Sequence, residues 1–141
     1  MLLAPLVRPY AWGVNRFVYG IAKLLIDSRK RTITNNADNP SFIEFQKKDP
    51  LQAHVLPVEW VSAMVAWKNR FVAYPERKSF APKVVQGFAD RTVDFKYGMK
   101  VLRDRYAPEF LEIPEARHHL VNESEAIRAQ MWAWMDEQCG W

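Results

Sequence analysis

The chain has 141 residues, and 49% of them are hydrophobic, which is enough apolar material for one packed domain and too much for a disordered chain. Its single cysteine, Cys139, leaves no partner for an intramolecular disulfide and no Cys/His spacing for a metal. No apolar run reaches the ~20 residues that cross a bilayer, and residues 1–7 lack the features of a signal peptide. We therefore expect a cytoplasmic protein with neither a metal nor a cofactor.

The excess of basic residues lies in the first half of the chain. Ten basic and five acidic residues precede Pro75, a net charge of +5, whereas ten basic and eleven acidic residues follow it, a net charge of −1. The basic residues are interspersed with acids and follow no nucleic-acid recognition motif, so nucleic acid is not an expected partner. A basic, aromatic-rich half suits an anionic membrane surface or a phospholipid head group, or it is simply a solvated face. Peripheral membrane contact therefore stays open.

The chain opens with a short apolar run, Leu2–Val7, which predicts a strand closed by Arg8-Pro9. Apolar side chains then recur at helical spacing and predict an amphipathic helix. They are Val14, Phe17, Val18, Ile21, Leu24 and Leu25. The basic triplet Arg29-Lys30-Arg31 and the stretch 35–40 are predicted to form a polar loop.

A second helix is predicted from Pro57, placed as its first residue, to near Pro75. Its apolar stripe consists of Val61, Met64, Val65 and Val72, widened by Trp60, Trp67 and Phe71. Residues 10–75 therefore form an aromatic-rich helical insertion, or cap. Residues 1–9 and 76–141 are assigned to an α/β core.

In the core, strand and helix patterns alternate. Strands are predicted at Lys83–Gln86 and Phe110–Ile113. The first helix begins after Asp94 as its cap, and the second after a capping box formed by Asn122 and Glu125. Such alternation indicates an α/β fold in which helices cover a parallel sheet.

Two polar stretches each follow a predicted strand, where open α/β sheets usually place their ligands. They are residues 86–94, Gln-Gly-Phe-Ala-Asp-Arg-Thr-Val-Asp, and residues 115–123, Glu-Ala-Arg-His-His-Leu-Val-Asn-Glu. In order and spacing they resemble the Gly-x-x-Asp-Arg-x-Val and Ala-Arg-His-x-Leu-x-Asn-Glu turns of α/β-hydrolases of the serine aminopeptidase, lysophospholipase and monoacylglycerol lipase group. The resemblance is strong over residues 80–136 and loose over the cap.

This resemblance implies the C-terminal half of an α/β-hydrolase fold, with a cap that includes Asp49–Leu51 as part of a lid. It implies hydrolysis of a lipid or lysophospholipid-like ester by a Ser-His-Asp mechanism, with Asp90 as the acid and His118 as the base. The register of the motif favours His118 over His119. An amide, epoxide or thioester substrate stays open, because this fold hosts many chemistries.

The residue types suit that chemistry. A serine hydroxyl is a poor nucleophile until an imidazole accepts its proton, and the imidazole needs a carboxylate to fix its tautomer and stabilise its protonated form. Asp90 and His118 are the residues that the resemblance assigns to these two roles. Taken alone, an Asp before an Arg in such a turn is usually a solvated turn residue.

The nucleophile of such a triad is not found in this chain. The family's Gly-x-Ser-x-Gly elbow would lie upstream of the first strand, and no pair of glycines here brackets a serine. We therefore expect the chain alone to be inactive, as a truncated product, a start assigned too late or half of a split enzyme. The strand Leu2–Val7 would then present an unpaired apolar edge to the missing N-terminal half or to a second copy.

Two further interpretations stay open. Trp12, Trp60 and Trp67 either line an acyl-chain pocket or pack as ordinary core, the commoner role of aromatic stripes at helical spacing. His54, alone near the cap, is interpreted as structural. The alternative function is a non-catalytic membrane- or protein-binding module, in which Asp90 and His118 are relics of the fold.

Overall fold

The computed structural model describes residues 1–140. Its helices are α1 (Trp12–Ala22), α2 (Pro40–Lys48), α3 (Val58–Ala73), α4 (Phe95–Arg105) and α5 (Glu125–Cys139), with a 3₁₀ turn at Leu120–Asn122. Its strands are β1 (Leu2–Leu3), β2 (Ser28–Lys30), β3 (Val55–Pro57), β4 (Lys83–Gly87) and β5 (Glu109–Ile113). No helix within residues 1–140 is long and apolar enough to cross a membrane.

The main sheet has three parallel strands in the order β1-β4-β5, which confirms the predicted parallel sheet. The central strand β4 pairs along its whole length with β5. Val84 and Val85 on β4 are completely buried, as expected for a strand that is covered on both faces. Ile127 and Met131 of α5 pack into the same core as Val85, so the last helix covers one face of this sheet.

The first strand is shorter than the predicted Leu2–Val7. Only the first two residues of that run pair with β4. Ala4 still donates its N–H to the carbonyl of Val85 at 2.9 Å, but its φ of 42° turns the chain out of the sheet. Val7 then lies beside Gly98 of α4 and is buried there. The apolar run therefore serves both as a strand and as a packed connection.

The predicted cap region, residues 10–75, contains three helices and a two-stranded ribbon, whereas two helices and a polar loop were expected. β2 pairs antiparallel with β3, so the loop predicted over Arg29-Lys30-Arg31 is wrong. The residues of β2 are exposed, and a ribbon without a buried face carries no alternation of apolar and polar residues by which to recognise it. α1 packs beside α3, where the hydroxyl groups of Tyr19 and Ser62 share a hydrogen bond.

α2 lies in a part of the chain for which no helix was predicted. The side chain of Asn39 caps it by accepting the N–H of Phe42 at 3.2 Å, and Pro40 is its first residue. Both are recognised signals for the start of a helix. The sequence prediction of a polar loop over residues 35–40 is therefore wrong at this point.

α3 begins one residue later than predicted. Pro57 ends β3 and serves as the N-cap, with extended backbone, and the helix starts at Val58. Since no residue of α3 is fully buried, its apolar stripe is only partly covered. The helix ends at Ala73, close to the predicted end near Pro75.

The N-cap residue of α4 is Asp94, as predicted. Asp94 accepts the N–H of Tyr97 at 3.1 Å. The same carboxylate accepts two hydrogen bonds from Arg8, at 2.6 and 2.9 Å, and the guanidinium of Arg8 lies 3.7 Å from the centre of the Tyr97 ring. This network fastens the segment after β1 to the start of α4.

The capping box predicted from Asn122 and Glu125 is wrong. α5 begins at Glu125 with Ser124 as its N-cap, and no side chain within residues 1–140 caps it. Asn122 belongs to the 3₁₀ turn, in which its N–H donates to the carbonyl of His119 at 2.8 Å. A residue held inside that turn is too early in the chain to cap the helix.

We predict that Gly87→Ala destabilises the fold, because a Cβ there would lie 2.2 Å from the carbonyl oxygen of Ala116. Two backbone segments would have to separate, at a cost of about 1–3 kcal/mol or more in the free energy of unfolding. Gly20→Ala in α1 is the control, since its Cβ would meet nothing and should stabilise the helix by about 0.5–1 kcal/mol. Urea denaturation measures both variants; equal stability of the two would contradict the prediction.

Candidate active site

The aspartate turn, residues 88–93, follows β4 and is organised around the carboxylate of Asp90. One oxygen of Asp90 accepts the backbone N–H groups of Thr92 at 2.7 Å and Val93 at 3.0 Å. These bonds close the turn on the side chain, which is only 1% exposed. The second oxygen is left free to face another part of the chain.

The histidine turn, residues 116–123, follows β5 and lies against the aspartate turn. Phe88 donates its N–H to the carbonyl of Ile113 at 3.1 Å, and Ala89 donates to that of Ala116 at 3.0 Å. Because parallel neighbouring strands end at the same edge of a sheet, these bonds simply continue the β4–β5 pairing into the turns.

The structure brings Asp90 and His118 into contact, as the resemblance implies. Nδ1 of His118 lies 2.9 Å from the second carboxylate oxygen of Asp90. With the carboxylate ionised, Nδ1–H donates this bond, and Nε2 is left as the basic nitrogen of the ring. His118 also borders a cavity of about 250 Å³ whose other wall includes Leu3 and Leu6.

The environment of Asp90 favours the ionised carboxylate. Burial raises the pKa of Asp90, but the hydrogen bond from His118, the N–H groups of Val93 and Thr92 and the charge of His118 together outweigh it. The net result is a pKa below its usual 3.8. A carboxylate that stays charged in a buried turn can orient an imidazole and stabilise its protonated form.

His119 lies next to His118 and borders the same cavity, but the bond to Asp90 is made by His118. Its ring packs against Phe42 of α2 with 5.4 Å between the ring centroids, and it stands edge-on to His118. Burial and the positive charges of His118 and Arg31 lower the pKa of His119, and the opposing effect of Asp90 is smaller. The neutral form of His119 is therefore favoured, and the contact that distinguishes the two histidines is the bond of His118 to Asp90.

The three tryptophans do not share one pocket. Trp12 lines an apolar cavity of about 290 Å³ between α1, β3 and α3, together with Val61 and Met64. Trp60 is 62% exposed, and Trp67 stacks on Phe71 at 5.2 Å; neither contributes to the wall of that cavity. Of the three tryptophans, Trp12 lines this cavity, whose apolar wall suits an apolar ligand.

Gln86 was not identified from the sequence. Its side chain is buried, donates to the carbonyl of Gly87 at 2.9 Å and lies 3.4 Å from the Asp90 oxygen that faces His118. A glutamine inside an otherwise apolar buried strand was the available signal, because buried polar groups need a partner.

His54 is exposed, and its backbone carbonyl accepts the N–H of Arg31 beside the ribbon.

The site holds no cluster of metal ligands. Within residues 1–140, no three side chains of His, Cys, Asp or Glu lie close enough together to hold a metal ion. The oxygens of Asp90 are already engaged by backbone N–H groups and His118. This arrangement suits proton transfer, in which Asp90 orients the imidazole of His118 and the imidazole carries the proton.

We predict that Asp90 contributes to stability in a pH-dependent way. Because its pKa is lower in the folded chain than in the unfolded chain, the contribution is complete above the unfolded value and is lost as the pH falls through the folded value. The advantage of the wild type over Asp90→Asn in free energy of unfolding should therefore shrink from about pH 5 to about pH 2. Urea titrations measure it, with exposed Asp136→Asn as the control; an advantage independent of pH would refute it.

No protein-family model and no curated protein sequence matches the chain. Solved structures do match. A soluble variant of monoglyceride lipase from Saccharomyces cerevisiae, in complex with a substrate analog, has a TM-score of 0.76 and 17% identity over 96% of this chain and 50% of its own. The monoacylglycerol lipase of Paleococcus ferrophilus has a TM-score of 0.65 and 17% identity over 85% of this chain and 50% of its own.

The chain thus spans about half the length of these solved structures. The first of these similarities extends over nearly the whole chain and the second over most of it. At this level of identity the likeness concerns the fold. The chain adopts the α/β-hydrolase fold and makes up about half of it, in agreement with the C-terminal half implied by its sequence.

Proposed function

We propose that this chain supplies the acid and the base of a Ser-His-Asp hydrolase that acts on lipid or lysophospholipid-like esters. The observation that carries the proposal is the 2.9 Å contact between Asp90 and Nδ1 of His118, in which the carboxylate is buried and fixed by backbone N–H groups. A catalytic pair requires this immobility, because the imidazole must face one position before substrate arrives.

In this mechanism Asp90 holds the Nδ1–H tautomer of His118. Nε2 then accepts the proton of the serine as its oxygen attacks the ester carbonyl, and returns it to the leaving alcohol. Asp90 stays ionised throughout and stabilises the imidazolium. The lowered pKa of Asp90 supports this assignment, because a protonated acid would donate rather than accept the bond.

The serine must come from a segment outside these 141 residues, since they contain no Gly-x-Ser-x-Gly. Two features support the interpretation that the serine-bearing segment binds beside β1. No other strand of residues 1–140 pairs with the outer edge of β1, and the side chains of Leu2 and Leu3 are exposed there. The cavity beside His118 opens next to the same segment. We infer that the serine-bearing half pairs at this edge, and that the isolated chain is inactive and prone to self-association through it.

The apolar cavity beside Trp12 is the proposed site for the acyl chain. Its lining is dominated by aliphatic and aromatic side chains of α1 and α3, which suits a hydrocarbon tail. The lipase names of the matched structures support a glyceride-like ester as the substrate class. That Trp60 and Trp67 contact the substrate stays a prediction, and such contacts would require the helical cap to move.

We expect the 141-residue chain alone to show no turnover of p-nitrophenyl butyrate or octanoate and no labelling by a fluorophosphonate probe. In the enzyme assembled with the serine-bearing segment, His118→Ala or Asp90→Asn should lower kcat on the order of 10⁴-fold. His54→Ala changes an exposed side chain that lines neither the cavity beside His118 nor the one beside Trp12, and as the control it should leave kcat unchanged. Turnover by the isolated chain that His118→Ala abolishes would reveal another nucleophile and overturn the proposal.

A second candidate function, membrane binding, is supported by the surface of α1. Phe17 on α1 is 71% exposed, and Leu24, two residues after the end of that helix, is 77% exposed; both belong to a run of exposed apolar side chains over residues 14–25. Arg16, Lys23 and Arg29 lie among or just beyond these residues and are also exposed. An apolar stripe bordered by basic side chains is typical of a helix that lies in the interface of an anionic membrane.

We predict that the chain sediments with vesicles rich in phosphatidylglycerol and less with pure phosphatidylcholine. Because burying one such side chain contributes about 1.5–3 kcal/mol, Phe17→Ser/Leu24→Ser should weaken binding by about tenfold or more. Phe45→Ser/Leu51→Ser removes comparably exposed apolar groups outside residues 14–25 and is the control. Equal loss of binding in both double variants would indicate non-specific adhesion and exclude α1 as the docking face.

A further inference from the structure

Glu123 is a buried carboxylate at the end of the histidine turn, and the catalytic pair makes no direct contact with it. It is completely buried. Burying a carboxylate is unfavourable unless hydrogen bonds replace its lost water, so its presence calls for an explanation. The explanation lies in what its two oxygens bind.

Each oxygen of Glu123 accepts a backbone N–H from a different segment. Oε1 accepts the N–H of Arg117 at 2.5 Å, and Oε2 accepts the N–H of Asp38. Bonds from N–H groups to a charged acceptor are stronger than those to a neutral one. Glu123 therefore joins two stretches of backbone that lie far apart in the sequence.

The first of these bonds acts on His118 through its neighbour. Arg117 immediately precedes His118, so holding its N–H limits the rotation of the backbone from which the imidazole extends. Glu123 lies six residues after Arg117, and the bond closes the histidine turn on itself. On the opposite side of His118, the N–H of His119 donates to the carbonyl of Asn36 at 2.9 Å. The backbone is thus held on both sides of the base.

The second bond extends this arrangement to the segment before α2. Residues 36, 37 and 38 each bond to the histidine turn: Asn36 to His119, Ala37 to the guanidinium of Arg117 at 3.1 Å, and Asp38 to Glu123. Only the bond to Glu123 has a charged acceptor. A displacement of this segment would therefore be transmitted to the turn that carries the histidine.

We propose that Glu123 is a positioning residue, which holds His118 against Asp90 and couples that pair to residues 36–38. A role of Glu123 in catalysis rests on the proposed triad. Its effect on the geometry of the Asp90–His118 pair can be measured without any turnover. If the Glu123 side chain contributed only to packing, a Glu123 variant that still folds would keep the Asp90–His118 bond intact.

The test is NMR spectroscopy of the full chain with Glu123→Ala and Glu123→Gln. In Glu123→Ala, the amides of Arg117 and Asp38 should both exchange about tenfold faster or more, since each loses a charged acceptor. The downfield Nδ1 proton resonance of His118 should broaden or disappear, and the pKa of the Asp90 carboxyl should rise as its bond to His118 weakens. Glutamine keeps one carbonyl oxygen, so Glu123→Gln should release one amide and preserve part of the His118 signal.

Two controls separate positioning from general loosening. Glu125→Gln removes an exposed carboxylate two residues away and should change nothing. Met131→Ala opens the buried core under α5 without touching either N–H, and should lower stability while leaving the His118 resonance and the Asp90 pKa in place.

The inference is overturned if Glu123→Ala folds with the His118 resonance and the Asp90 pKa of the wild type, or if Met131→Ala reproduces its changes. Should Glu123→Ala fail to fold, Glu123→Gln decides: wild-type exchange at both amides would overturn the inference, and faster exchange at one would support it. Failure of ester hydrolysis in the assembled enzyme would refute the proposed function and leave this assignment standing.

Discussion

The candidate site depends first on the parallel pairing of β4 with β5. Because the two strands run in the same direction and in register over their full length, the turns that follow them emerge side by side. Backbone bonds between those turns continue the pairing, and Gly87 allows the approach, since any side chain there would collide with Ala116. The distance between Asp90 and His118 is thus a consequence of sheet geometry, and neither side chain needs a long flexible reach to find the other.

Strand pairing brings the two side chains together, and the electrostatics of the site decide what they do there. Burial alone would favour the neutral acid at Asp90, which would reverse the direction of its bond to His118. The hydrogen bond from His118 and the backbone N–H groups of Val93 and Thr92 together prevent this by replacing the water that the carboxylate has lost. The buried side chain of Glu123 is likewise hydrogen-bonded, with the N–H groups of Arg117 and Asp38 as its donors. Each turn therefore contains a buried acidic side chain that binds backbone N–H groups.

How far the sequence predicts this molecule depends on how local each signal is. The β4 and β5 strands and the N-cap at Asp94 follow from patterns within a few residues, the side-by-side placement of the two turns follows from the rule for parallel strands, and the choice of Asp90 and His118 within those turns comes from the resemblance to a known family. The ribbon of β2 and β3 is not predicted because an exposed pair of strands needs no apolar periodicity, and α2 is not predicted because Asn39 and Pro40 are assigned to a polar loop. The bond between Glu123 and Asp38 joins residues 85 positions apart, so no local sequence pattern could predict it.

The exposed apolar surfaces of the chain differ in the partners they suit. At β1 the unsatisfied groups are backbone donors and acceptors along a strand edge, which only another strand can pair with good geometry. On α1 the backbone is already satisfied inside the helix, so the exposed side chains gain from any apolar medium, including a lipid interface. The basic residues beside α1 favour an anionic surface, whereas none of the first seven residues is basic. Under the proposed function, the edge of β1 is the expected place for the serine-bearing half and α1 the expected place for a membrane surface, so the two partners would use different segments of the chain.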